Sequence, residues 1–270
     1  MSGAGGVIVI GWWQLALATG LMVLTGALSV ALKLGVAKQL AIATARTYAQ
    51  LLLLGLVLGW IFGLDSPWAV LGVLVIMTGV AALTIARRAP DAPAGTTGIS
   101  FLAMLLVGTF ITFVVTGLIV RVEPWYLPRY VIPIAGMVLG NSMNGIALAL
   151  ERTFSDMDAR SGEILALTAL GATPWEAAAP SIRRAMRAAM IPGINTLSAA
   201  GIVFIPGMMA GQLLAGADPM AAAPYQIVVM VMVATADITG STLAVMLTYR
   251  RRFGADDIYL ERGYRPDSRS

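Results

Sequence analysis

The chain has 270 residues, 58% of them hydrophobic and 12% charged, with a mean hydropathy of +0.83 and a formal net charge of +4. A soluble fold does not hide that much apolar surface, so the composition indicates a polytopic membrane protein. There is no cysteine and no histidine, which excludes disulfides and thiolate or imidazole metal sites; the basic surplus is what membrane edges carry and calls for no nucleic-acid partner.

Seven apolar stretches are long enough to span a bilayer, about 9–31, 40–64, 67–86, 99–120, 131–150, 190–214 and 225–248. They predict an all-α polytopic membrane protein built as a single transmembrane domain over residues 1–270. The N-terminus lacks a basic leader region, so no cleaved signal peptide is expected. All 18 lysines and arginines except Arg121 and Arg129 fall in the connections after spans one, three and five or in the tail at about 249–270. This asymmetry places the N-terminus outside, and the C-terminus and the long connection 151–187 in the cytoplasm, of a multi-pass cell (inner or plasma) membrane protein.

Span one is uniformly apolar, with Gly20 and Gly26 as close-packing points. In span two, Arg46 precedes 18 apolar-rich residues, enough for about 27 Å of helix. It is placed at the interface. Asp65-Ser-Pro-Trp68 reads as a tight external turn, and Glu123–Tyr130 as an external segment with interfacial aromatics. Span five contains Gly136-Met-Val-Leu-Gly140, which lets helices approach closely, followed by Asn141 and Asn144. Amides in a span need partners. These two either bond between helices or line a route through the bundle.

The connection 151–187 is the long polar segment between two spans, with five arginines (152, 160, 183, 184, 187) and five acids (Glu151, Asp156, Asp158, Glu163, Glu176). It reads as a docking surface made of helix, turn and helix. Ser155 with Asp158 is expected to cap the first helix, and Gly171 to stop it in the left-handed conformation. Thr173-Pro-Trp-Glu176 is expected to form a capping box with Pro174 at the first helical position, and Pro180 to interrupt or restart the second helix.

Span six carries Pro206-Gly207, an expected helix break that frees backbone carbonyls. Met208, Met209 and Gln212 follow within about a turn. Thioethers suit soft metals, but methionine also fills cores, so no metal is assigned. Span seven places Asp237 near its middle, where a carboxylate is by default a functional group. Thr235, Thr239, Ser241 and Thr242 are alternative structural partners. Arg250-Arg-Arg252 closes the span. No phosphate-binding loop, zinc helix or nucleophile elbow is present, so catalysis by this chain is not expected.

Glu163 and Ala-Leu-Gly171-Ala-Thr-Pro-Trp-Glu176 resemble the coupling segment of ATP-binding-cassette permeases, although no Ile-x-Leu-Pro ending follows. Gly136-Met-Val-Leu-Gly-Asn-Ser-Met-Asn144, Ala-Leu-Gly-Ala-Thr173 and Pro206-Gly-Met-Met-Ala-Gly-Gln-Leu-Leu-Ala-Gly216 are similar to the Fet-type iron-export permeases of that class. The resemblance implies an exporter subunit for iron or a metal-related solute, working as a homodimer in the bilayer. It would bind no cofactor itself and would be driven by an ATPase on a separate chain carrying ATP and magnesium. It assigns Glu163, Leu167, Leu170, Gly171, Ala172, Thr173, Trp175 and Glu176 to ATPase coupling. Asn141, Asn144, Met208, Met209, Gln212 and Asp237 are the candidates for the solute route. A secondary transporter using a proton or cation at Asp237, or a membrane scaffold, are the alternative functions.

Overall fold

The computed structural model describes residues 10–63, 66–254 and 256–260. Asp65 of the expected external turn and Arg262, Arg265 and Arg269 of the tail lie outside them. The helices are α1 (Trp12–Ala31), α2 (Ala37–Ile61), α3 (Pro67–Arg88), α4 (Thr96–Phe113), α5 (Pro128–Ala159), α6 (Ser161–Ala169), α7 (Pro174–Ala199), α8 (Gly207–Leu214) and α9 (Pro219–Tyr249). A π-helical turn, Val114–Ile119, extends α4. Among the described residues the only β pairing is two isolated bridges, Ala200 with Phe204 and Phe253 with Tyr259. Prolines open α3, α5 and α7, at the position where a missing N–H leaves no helical bond unmade.

Among the described residues six helices, not the seven expected, are long and apolar enough to cross a bilayer: α1, α2, α3, α4 with its π-helical turn, α5 and α9. The stretch 190–214 is not one helix, as the sequence predicts. α7 ends at Ala199, the chain turns through Gly201 in the left-handed conformation (φ 78°), and α8 begins at Gly207, directly after Pro206. The interruption expected at Pro180 does not occur, because α7 runs through both Pro180 and Pro192. Ala177, Ala178 and Ala179 are buried, and that packing holds the helix across the missing N–H.

The chain divides into two compact units, Met1–Asp65 with Gly207–Ala222, and Ser66–Pro206 with Ala223–Ser270. In the first, α1 packs on α2, and Thr19 Oγ1 lies 2.7 Å from Tyr48 Oη. Both helices expose apolar side chains such as Leu17, Leu21, Leu24, Leu52 and Leu56, the pattern of helices solvated by lipid.

The second unit holds a continuous core. Ile85 of α3, Met104 of α4, Ile146, Leu150, Phe154 and Met157 of α5, Ile164 of α6, Ala178 of α7 and Val245 of α9 are buried together. The apolar face of α5 continues well past Leu150, so the helix has 32 residues, about 48 Å against a hydrocarbon layer of about 30 Å. The expected cap at Ser155 and Asp158 therefore does not form, since both lie inside α5.

Asp158 instead anchors the segment after α9. Arg252 is buried and donates to Asp158 Oδ2 at 2.9 Å and to the Asp91 carbonyl at 2.6 Å, while its guanidinium carbon sits 5.6 Å from the Phe154 ring centroid. Tyr259 Oη donates to Asp158 Oδ1 at 2.7 Å. Arg251 donates to the Ala94 carbonyl at 3.1 Å, beside Gly95 (φ 84°), where a Cβ would collide with the guanidinium. Arg250 pairs with Asp257 at 2.7 Å. Arginines that the sequence presents as membrane-edge charge are thus structural. Replacing Asp158 with Ala strands the Arg252 guanidinium, and the expected loss is about 3 kcal/mol, read as a lowered unfolding midpoint in detergent. Arg152→Ala, whose pair is exposed, serves as the near-neutral control.

Candidate functional site

The polar turn between α6 and α7 is closed by backbone bonds before any side chain contributes. Gly171 takes φ 92°. Its N–H bonds to Thr168 O and the N–H of Ala172 to Leu167 O, both at 3.0 Å. This pair is a Schellman cap, which the left-handed glycine permits. Thr173 then caps α7. Its N–H donates to Glu176 Oε2 at 2.8 Å, and its Oγ1 accepts from the Glu176 N–H at 3.3 Å. Pro174 occupies the first helical position.

The turn is held from behind. Ile164 is fully buried, and Leu165 and Leu167 pack against the core. Arg160 grips the Glu163 carboxylate through two nitrogens and donates to Ser181 Oγ of α7 at 2.8 Å, so one guanidinium ties α6 to α7. The Trp175 ring meets Tyr249, at the end of α9, edge-on at 5.9 Å. The front is open: Leu170 is 86% exposed, and nothing lies near Gly171.

Electrostatics follow the contacts. The Arg160 hydrogen bond holds the Glu163 carboxyl below its ordinary value, and the Glu163 hydrogen bond raises Arg160. The Thr173 N–H, followed by its hydroxyl, lowers Glu176.

The second group of candidates lies where α5, α7 and α9 meet. The Asp237 carboxylate is wedged against Gly145 of α5, where a Cβ would overlap Oδ1, and it faces Gly193 of α7, where a Cβ would sit 3.5 Å from Oδ2. Oδ1 is buried with no hydrogen-bond partner, as are the hydroxyls of Ser142 and Ser241. Asn144, next to Gly145, accepts from Arg88 Nη1 at 2.5 Å. A base from the end of α3 is therefore bound to the residue next to the Asp237 contact. Asn141 bonds back to the Met137 carbonyl of its own helix at 2.8 Å.

Met208, Met209 and Gln212 lie on α8, in the other unit. Gln212 Oε1 is buried without a partner. Among the described residues no group of three or more acids forms a metal cluster. Gly145, Gly193, Tyr249 and the Arg88–Asn144 bond are site features that the sequence alone does not flag. Both glycines stand among many other small residues in α5 and α7, so nothing in the sequence singles them out.

These features define a multi-pass helical membrane protein with a braced, exposed turn. Residues 12–253 match the model of the group described as "Uncharacterised protein family (UPF0014)", and the chain belongs to that family. It is 38% identical to the UPF0014 membrane protein slr1647 of Synechocystis over 92% of this chain and 95% of that protein. It is 39% identical to the UPF0014 membrane protein YjkA of Bacillus subtilis over 84% and 89%. It is also 34% identical to the probable iron export permease protein FetB of Escherichia coli over 90% and 92%. No solved structure matches the chain.

Two outcomes test this geometry. Gly145→Ala places a methyl group on the Asp237 carboxylate, whereas Gly193→Ala adds only an ordinary contact. Gly145→Ala is expected to destabilise, and Asp237→Ala to relieve part of that cost. A double-mutant cycle on unfolding midpoints then shows a coupling of about 1 kcal/mol or more. The second concerns the α7 cap. A carboxyl whose folded value is depressed stabilises above its unfolded value of 4.5 and loses that contribution as pH falls through the folded value. Thr173→Ala is expected to cost about 1 kcal/mol at neutral pH. Its gap from the native chain narrows once Glu176 protonates, measured as unfolding midpoints across acidic pH.

Proposed function

We propose that this chain is the permease subunit of an ATP-driven exporter whose solute is iron or a related metal species, with the turn between α6 and α7 as its handle. The observation that carries the reading is the construction of the turn. A rigid cap fixes Gly171 and Thr173, Arg160 and the Trp175–Tyr249 contact join the turn to α7 and α9, and Leu170 projects with nothing over it. An exposed leucine at the tip of a braced turn is what a partner pocket takes as an anchor. The turn faces the cytoplasm in this reading, as the basic residues predict. A separate ATPase binds ATP and magnesium and closes on it, and this chain hydrolyses nothing itself. The permease works as a homodimer. The metal assignment is supported by the name of the FetB relative.

In the cycle, ATPase closure pushes on Leu170–Trp175. The push reaches α9 through Tyr249 and α5 through Arg160, so the α5–α7–α9 contact around Asp237 is where the bundle shifts. Asn141, Asn144 and Asp237 in one unit, and Met208, Met209 and Gln212 in the other, are the candidates for the solute route. A second reading is favoured by the buried, unpartnered Asp237 Oδ1. In it Asp237 binds a coupling ion and the chain transports without an ATPase.

The two readings separate in one experiment. The chain is reconstituted with and without its cognate ATPase, and metal-stimulated hydrolysis and metal flux are measured. Leu170→Asp leaves the unfolding midpoint unchanged, since the side chain packs on nothing, and lowers co-purification with the ATPase about thirtyfold, the effect of losing one anchor residue. Undiminished co-purification of Leu170→Asp would sink the handle. Flux without ATP that is lost in Asp237→Asn would replace the first reading with the second.

A further inference from the structure

The five arginines and five acids of residues 151–187 cancel in the sequence but not in space. Glu151 takes Arg152 at 3.5 Å, Asp156 takes Arg184 at 2.9 Å, and Glu163 takes Arg160. Asp158 is engaged by Arg252 and Tyr259, which arrive from beyond α9. Glu176 is engaged by Thr173 in the α7 cap. Every acid of the stretch therefore has a partner. Arg183 and Arg187, four residues apart on the exposed face of α7, have no acidic partner among the described residues.

Both line a cavity of about 270 Å³ whose remaining walls are Arg184, Ala188 and Ile191. The cavity lies at a boundary in the sequence. Arg187 is the last charged residue before Asp218, so the chain is uncharged from Ala188 to Ala217. From Arg183 to Ile191 the helix rises about 12 Å, enough to cross the headgroup layer on one side of a bilayer and reach the first acyl carbons. Basic side chains above and aliphatic ones below, over that distance, match the two ends of one kind of molecule.

We propose that this cavity binds an anionic phospholipid, with the phosphate held by Arg183 and Arg187 and the acyl chains starting along Ala188 and Ile191. Guanidinium groups suit the job because their paired N–H donors match two phosphate oxygens at once. The bound anion supplies the counter-charge that the stretch has directed elsewhere. It sits on the helix that carries the Thr173 cap, so it sets the depth and tilt of the handle relative to the membrane surface. The proposal requires that α7 meets the membrane just after Arg187. It does not require an ATPase, and its test contains none.

The full chain is purified in neutral detergent and mixed with equal amounts of dioleoyl phosphatidylglycerol and dioleoyl phosphatidylcholine, which share their acyl chains. Retained lipid is counted by native mass spectrometry. The native chain is expected to retain phosphatidylglycerol in preference to phosphatidylcholine. Arg183→Gln with Arg187→Gln lowers that ratio about tenfold, while Arg87→Gln, an exposed arginine at the end of α3, leaves it unchanged. Arg187→Gln alone, lowering the ratio about threefold, serves if the double variant fails to purify. Equal retention of the two lipids by the native chain would overturn the proposal. An equal effect of Arg87→Gln would reduce it to general surface charge and overturn it likewise. Displacement of phosphatidylglycerol by equimolar glycerol 3-phosphate would assign the cavity to a soluble anion. An unchanged lipid ratio in the double variant, with loss of binding to an acidic protein partner, would assign it to that partner.

Discussion

Two helices of this protein are longer than a bilayer is thick, and most of its polar architecture follows from that mismatch. α5 has 32 residues and α9 has 31, each overrunning the hydrocarbon layer by about ten residues. The surplus must leave the membrane. Both helices keep an apolar seam as they do so: Phe154 and Met157 of α5 are buried alongside Ala244 and Val245 of α9. Packing thus continues into a region where charged groups are tolerated. Asp158, Arg252 and Tyr259 gather there against the buried Phe154.

Tertiary contacts give Asp237 surroundings that its place in the sequence does not show. Counted along an apolar stretch of ordinary length, it falls at mid-membrane. Its neighbour across the interface is Gly145, and Asn144 beside that glycine holds Arg88 at the end of α3. The carboxylate therefore meets α5 one residue from an amide that a guanidinium holds.

Local chemistry was legible in the sequence, and tertiary partnership was not. The turn at Gly171, the cap at Thr173 and Glu176, and Pro174 at the first helical position are each set by a residue's own backbone preference, and all three stand in the structure. Ser155 and Asp158 carry the same capping chemistry and fail to use it, because Ile146, Leu150, Phe154 and Met157 continue one helical face through them. That spacing was present in the sequence, but the rise in polarity after Leu150 concealed it. The route candidates were chosen for polarity within apolar stretches. What holds the Asp237 carboxylate is instead the absence of side chains at Gly145 and Gly193, and an absence of that kind means nothing until the neighbouring helix is known. The charge balance of residues 151–187 misled for a related reason: a net charge of zero says nothing about which acid meets which base.

The knot after α9 has a consequence for how the chain is made. Phe253 and Tyr259 complete a core most of whose members, from Ala81 to Ala189, leave the ribosome much earlier, and Arg252 packs beside it on Phe154 and Asp158. Until those residues emerge, Phe154 lacks its Arg252 cover and Asp158 has neither of its donors. The nascent bundle therefore lacks these contacts until the segment after α9 docks, and that segment acts as a late seal on a core already in place.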